Sequence, residues 1–200
     1  DGVTFTLKQT FDNSTVTIGI NNDNSKVYDN IKGFVDKYNE LIASIQGKVS
    51  EERNRSYLPL TDDERDSLSE DEIEKWEKIA KAGHLRNDSI LTGVLNNMRS
   101  SFSNPVSSST GLYKQLSSIG ISTTSDYLAG GKLEINEAKL KQALEDDPES
   151  VEALFTSENG IMTRLQNNIS ATTDQLKARA GTSLSTNATF TIGRDLSNIE

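Results

Sequence analysis

One histidine, a run of acids and a few neighbouring carboxylates are the residues of this chain whose types could do chemistry. His84 is the only histidine, between Gly83 and Leu85. A general base of the nucleophile-activating kind needs a serine or cysteine partner within hydrogen-bond reach, and no such motif accompanies it. Its position at a helix corner predicts a ring that meets solvent or donates to a carbonyl. The acids Asp62, Asp63, Glu64, Asp66, Glu70, Asp71 and Glu72 have the charge for a cation. Their spacing lacks the central glycine and closing glutamate of a calcium loop. They fall instead in the first turns of two helices, where negative charge complements the helix dipole. Glu134 with Glu137, and Glu145 with Asp146 and Asp147, have no feature that would bury them in one cleft, as paired acid–base work requires. Gly130 and Gly131 lack the context of a phosphate loop and read as a turn. With no cysteine in the chain, thiolate nucleophiles, disulfides and cysteine-based zinc sites are all excluded. These residues assign no catalytic group, no metal ligand and no cofactor.

The elements that carry them are more informative. Thr61 followed by Glu64 is a capping-box spacing, and Ser69 with Glu72 repeats it. In each, a hydroxyl takes a first-turn N–H while the carboxylate reaches back to the cap residue. Leu68 before the second cap and Ile73 within the helix are placed for a hydrophobic staple. Ile73, Trp76 and Ile79 share a face, which predicts that the tryptophan packs into a core rather than serving as a ligand platform; its truncation would then cost roughly 3–5 kcal/mol. Gly83 suits the positive φ of a helix end, after which Asn87 or Asp88 can cap a new helix opening at Ile90 and Leu91. Residues 57–91 therefore describe a helix–turn–helix corner.

On either side the pattern is mostly helical. Val27, Ile31, Phe34, Tyr38, Leu41 and Ile45 step alternately by four and three, a heptad seam widened by Val35 and Ile42. A helix over residues 26–50 would be a strut roughly 37 Å long. The seam reads as an intramolecular core in preference to a contact between subunits. Ile90, Leu91, Val94, Leu95, Met98 and Phe102 continue the helical period until Pro105. Ile119, Ile121 and Thr123 alternate, as do Leu133 and Ile135, which predicts a β-hairpin turning at Gly130 and Gly131. Asn136 and Asp147–Pro148 open two further helices, and Asn159–Gly160 precede a line of Ile161, Leu165, Ile169, Thr172 and Leu176. Returning antiparallel against the Val27 helix, that line would bury both stripes. The fold class is mainly α with minor β: an antiparallel helical bundle with a hairpin near 119–135.

Lys and Arg number 21 against 30 Asp and Glu, a net charge of −9. Nucleic-acid binding driven by counterion release needs clustered cations, so no nucleic-acid partner is expected. No apolar run reaches the roughly 20 residues of a membrane span, and no basic-then-apolar start resembles a signal peptide. The alternations Val3, Phe5, Leu7 and Val16, Ile18, Ile20 predict two strands that belong to a larger sheet, because an isolated hairpin is marginal in water. At the other end, Phe190, Leu196 and Ile199 have helical spacing and no obvious partner in the chain. They are the candidate partner-interface residues.

Three segments carry a family resemblance: PLT, an acidic run, IEKWE and LRNDSIL within residues 57–91; LSSIGI at 116–121 leading to GKLEINEAKL at 131–140; and DPESVEALFT at 147–156. In these the chain resembles the flagellar hook-associated protein 2 family, the filament caps. The resemblance implies a structural assembly protein, not an enzyme, that caps the distal end of the bacterial flagellar filament and promotes flagellin folding and insertion. It implies export by the flagellar apparatus to the extracellular tip. The implied partners are flagellin, further copies of itself in a ring, and the hook–filament junction protein before the filament grows. Residues 1–24 would be the last strands of a β-rich head domain and 25–200 a helical leg. Another axial component, such as a junction protein, or a cap used chiefly as a surface adhesin, are the alternative readings.

Overall fold

The computed structural model describes residues 24–107, 111–126 and 129–199, together with Thr6. The two expected strands at Val3–Leu7 and Val16–Ile20 lie outside these residues. Helix α1, Ser25–Ser50, is the strut. Asn24 precedes it without a side-chain cap; its Nδ2 donates instead to the Leu144 carbonyl at 2.6 Å, tying the start of α1 to another helix. The buried face is Ile31, Val35, Tyr38, Ile42 and Val49, with Phe34 and Ile45 packed beside it. This seam lies one position round from the one read in the sequence. Val27 and Leu41 are 41% and 39% exposed, whereas the supposed flanking residues Val35 and Ile42 are at the centre.

The hairpin accounts for that rotation. Strand β1, Ile121–Thr123, pairs antiparallel with β2, Leu133–Ile135, Ile121 opposite Ile135. Its turn rests on α1: the Tyr38 hydroxyl donates to the Gly131 carbonyl at 3.2 Å, and Asn39 both donates to the Leu133 carbonyl and accepts from its N–H. Asn39 thus gives β2 a substitute strand partner. Ile119 belongs not to β1 but to a 3₁₀ turn, Leu116–Ile119, closed by Gly120 at φ 84°. A side chain at Gly120 would collide with Lys139 and the Asn136 carbonyl, so the chain can enter the strand there only as glycine.

The short α2, Asp62–Asp66, and α3, Glu70–Lys81, follow α1 and lead into α4, Ser89–Ser103. Val94, Leu95, Met98 and Phe102 of α4 are buried as their period predicts, and Phe102 meets Tyr38 edge-on at 4.6 Å. Beyond the hairpin come α5, Glu137–Asp146, and α6, Pro148–Thr156, capped by Asn136 and Asp147 through bonds of 3.0 Å to Lys139 N and Ser150 N. Then comes α7, Ile161–Ala180, a helix of 20 residues. One continuous core joins α1, α4, the hairpin, α5, α6 and the first turns of α7.

Helix α7 does not return against α1 as its apolar line suggested. It lies on α4, and polar bonds set that choice. The Arg164 guanidinium donates to the carbonyls of Ser101, Asn104 and Pro105, closing the end of α4, and Asn168 donates to the buried Ser101 hydroxyl at 2.8 Å. Only Ile161 and Leu165 of its apolar line are buried; Ile169 and Leu176 remain exposed. After Gly181 a 3₁₀ turn, Asn187–Thr189, and α8, Thr191–Ser197, fold back over its end. Among the described residues no helix is long and apolar enough to cross a membrane.

Candidate functional site

Two features stand outside the core: the corner between α1 and α4, and the fold-back at α8. Both capping boxes of the corner form. Glu64 Oε2 accepts the Thr61 N–H at 2.9 Å, and Glu72 Oε2 accepts the Ser69 N–H at 2.9 Å and its hydroxyl at 2.7 Å. Glu77 receives both Lys81 and Arg65, the latter at 2.6 Å, which ties α2 to α3. The bonds from Thr61 and Ser69 hold Glu64 and Glu72 below the usual carboxylate range, as the Lys81 and Arg65 cations do Glu77.

Trp76 does not enter the core. Helix α3 has no buried residue. The indole is half-buried against the Tyr57 ring, centroids 4.6 Å apart, and its Nε1 donates to the Leu58 carbonyl at 2.8 Å. It folds a satellite down onto its own connecting loop, so its spacing reported an apolar face but not how far that face is covered.

The corner is fastened to the bundle at its base. Glu51 accepts the Gly83 N–H at 3.1 Å, and the Asn87 N–H donates to the Val49 carbonyl at 3.0 Å. Gly83 has φ 73°, and a Cβ there would stand 2.5 Å from the Arg53 backbone. Of the two residues placed to cap α4, Asp88 does so, accepting from Ile90 N and Leu91 N at 3.0 and 3.1 Å. Asn87 takes the left-handed turn at φ 55°. Asp88 also pairs with Arg179 at 2.5 Å, joining the start of α4 to the end of α7. Burial works to raise the Asp88 pKa, but the Leu91 and Ile90 N–H groups and the Arg179 cation outweigh it and the net shift is downward.

At α8 the three candidate interface residues separate. Phe190 has a partner in the chain. It is half-buried, its ring lying over Gly181 and Gly193, where an added Cβ would approach within 2.6 Å. Leu196 and Ile199 are 54% and 82% exposed, and Ile192 on the same helix and Leu184 in the loop before it are also exposed. Phe190 therefore fixes the fold-back and Leu196 and Ile199 present it.

The chemistry-bearing residues stay apart. His84 is exposed with Nε2 3.0 Å from the Ala80 carbonyl. Among the described residues no group of three His, Asp or Glu could hold a metal ion. Burial pushes the Tyr38 hydroxyl up to about 12, with the Arg99 charge opposing; this phenol is a structural donor to Gly131. Sequence reasoning missed Asn39, Arg164 and the Asp88–Arg179 pair, since each joins residues at least 59 positions apart and no local pattern marks them.

Comparison with known proteins places this architecture among relatives. The model of the family described as flagellar hook-associated protein 2 C-terminus matches residues 1–200. Flagellar hook-associated protein 2 of Halalkalibacterium halodurans is 35% identical over 223 residues, covering all of this chain and 42% of that protein. The A-type flagellar hook-associated protein 2 of Pseudomonas aeruginosa is 35% identical over 84% of this chain and 30% of its own length. Among solved structures, the D1-D2-D3 domains of the flagellar cap protein FliD from Escherichia coli align with a TM-score of 0.51 and 30% identity, over 80% of this chain and 40% of that one. The chain spans less than half the length of each of these proteins.

Proposed function

Because the chain belongs to the flagellar hook-associated protein 2 family, we propose that it is the helical leg of a cap at the distal end of the bacterial flagellar filament, where it promotes the folding and insertion of flagellin. The observation that carries this reading is the match of family and fold together: a helical bundle with a small hairpin whose 30%-identical structural relative is a flagellar cap protein. In this reading residues from about 25 onward form the leg and residues 1–24 belong to a head domain. The protein works outside the cell, reaches the tip through the flagellum's own export route, meets the junction protein before the filament grows, and acts in a ring of copies of itself.

The role needs no covalent step. A cap that binds flagellin more tightly in its polymerisation-competent conformation shifts the subunit toward that state by the difference in affinity. The fold supplies a rigid support for such binding: one core, three fastened long helices, and apolar side chains presented at α8. Leu196 and Ile199 are the proposed contact points, with Phe190 as their anchor. The match of residues 1–200 to the hook-associated protein 2 C-terminal family favours a cap over a junction component. Deleting the region of residues 25–200 from the chromosomal copy tests the proposal. Cells are expected to release flagellin monomer into the medium and build no filaments; filaments of normal length would refute it.

A further inference from the structure

The end of α1, the turn into α4 and the tip of the hairpin meet around an open pocket of about 340 Å³. Its charge is the reverse of the molecule's. The chain carries 30 Asp and Glu, yet no carboxylate stands among the described residues that line this pocket, and two arginines do, Arg86 from the turn and Arg99 from α4. The acids next to the lining in sequence are committed elsewhere. Glu51 receives the Gly83 N–H and Lys48, and Asp88 receives Arg179 and the first N–H groups of α4. Among the described residues the Arg86 guanidinium makes no hydrogen bond or ion pair, and the side chains of Gln46, Asn87, Thr92 and Asn96, which line the same pocket, make no hydrogen bond. Arg99 is half-buried, so water screens its charge less than it would on the open surface. Val49 and Leu95, 8% and 6% exposed, give the pocket an apolar base. A Cβ on Gly130 would stand 3.1 Å from Gln46 Oε1, so a side chain there would cover that amide, which glycine leaves open to the pocket.

We infer that this pocket binds a carboxylate carried on a short apolar stem, the chemistry of a glutamate side chain. The guanidinium fork matches the two oxygens of a carboxylate. An ionised carboxylate only accepts hydrogen bonds, and the amides and hydroxyl of Gln46, Asn87, Asn96 and Thr92 all carry donors for it. Val49 and Leu95 receive the methylenes of the stem. A cationic ligand would meet two like charges, and a bare tetrahedral anion would leave the apolar base and most of the volume to water. The site does not depend on the capping role. Its carboxylate belongs either to a free organic acid or to a glutamate of another polypeptide, and both present the same group to the arginines.

Ligand-observed saturation-transfer NMR on the full-length protein tests this, with N-acetylglutamate α-amide as the probe and N-acetylglutamine α-amide as its neutral counterpart. Saturable binding of the acid and none of the neutral amide is expected. Arg86→Gln should weaken the acid about tenfold or more, through loss of a charge-assisted hydrogen bond. Asn96→Asp, which puts a negative charge into the lining, should abolish binding. Arg55→Gln, at an exposed arginine outside the pocket, should leave it unchanged, and circular dichroism of each variant reads folding. Flagellin added to the bound probe separates the two sources: displacement assigns the site to a polypeptide glutamate, and an unchanged signal assigns it to a free acid. Equal binding of the two probes, an affinity untouched by both Arg86→Gln and Asn96→Asp in folded protein, or displacement of the probe by equimolar sulfate would each overturn the inference.

Discussion

At the scale of single residues, a few side chains fasten one backbone segment to another. Asp88 both caps α4 and holds Arg179, so its two roles separate by substitution. Asp88→Asn keeps an oxygen for the Ile90 and Leu91 N–H groups and loses only the charge, while Asp88→Ala loses both. A lost N-cap costs about 1 kcal/mol, with a range of 0.5–2, and a pair as solvent-accessible on the arginine side as this one adds at most about 1 kcal/mol. Urea unfolding should therefore rank wild type above Asp88→Asn above Asp88→Ala, with unchanged slope. Equal midpoints for all three would show that the cap and the Arg179 pair contribute nothing. Asp88 was one of two residues the sequence nominated for this cap, and Asn87 turned out to supply the left-handed turn that aims it. The choice between them depended on where Val49 lay, 38 positions away, and so could not be made locally.

At the scale of elements, the corner of α2 and α3 is a satellite with its own electrostatics. Glu51, Glu64, Glu72, Glu77 and Asp88 all have pKa values lowered in the folded protein. A lowered folded pKa gives stability that is fully present above the unfolded value, near 4, and is lost as pH falls through the folded value. Acidification below pH 4 should thus loosen the corner first. Trp76, the sole tryptophan, reports that event: its fluorescence should change at a higher pH than the far-UV circular dichroism of the long helices. Coincident transitions would mean the corner has no separate stability. Trp76→Ala should likewise open residues 52–86 to protease while leaving the thermal midpoint of the bundle within a few degrees, since α3 contributes no side chain to the core. Helices, caps and hairpin were legible in the sequence because capping boxes, Asp–Pro starts and apolar periods are local signals. The degree of burial was not. The seam of α1 shifted by one position because the hairpin covers the Tyr38 side, and α7 chose α4 because Arg164 and Asn168 found carbonyl and hydroxyl partners there.

At the scale of the whole molecule, the proposed role makes the fold a support that acts through what it presents. The core is shared by α1, α4, α5, α6 and the start of α7, and the charged groups that could do chemistry are dispersed over its surface. Among the described residues its exposed apolar side chains include Leu196 and Ile199 at the fold-back of α8, and others such as Leu58, Leu85 and Leu112 lie elsewhere on the surface. The candidate contact residues were visible in the sequence as a helical spacing at 190–199, but the division of labour between Phe190, which is held over two glycines, and Leu196 and Ile199, which face outward, needed the structure. The central claim is that these outward residues act by contact and not by stabilising the leg. The most direct measurement is electron microscopy of filaments, with immunoblotting of flagellin in the medium, from cells whose only cap gene carries Leu196→Asp and Ile199→Asp. The account predicts a variant that is exported and keeps the wild-type thermal midpoint, with filaments short or absent and flagellin monomer accumulating outside. Filaments of normal length and number would contradict it.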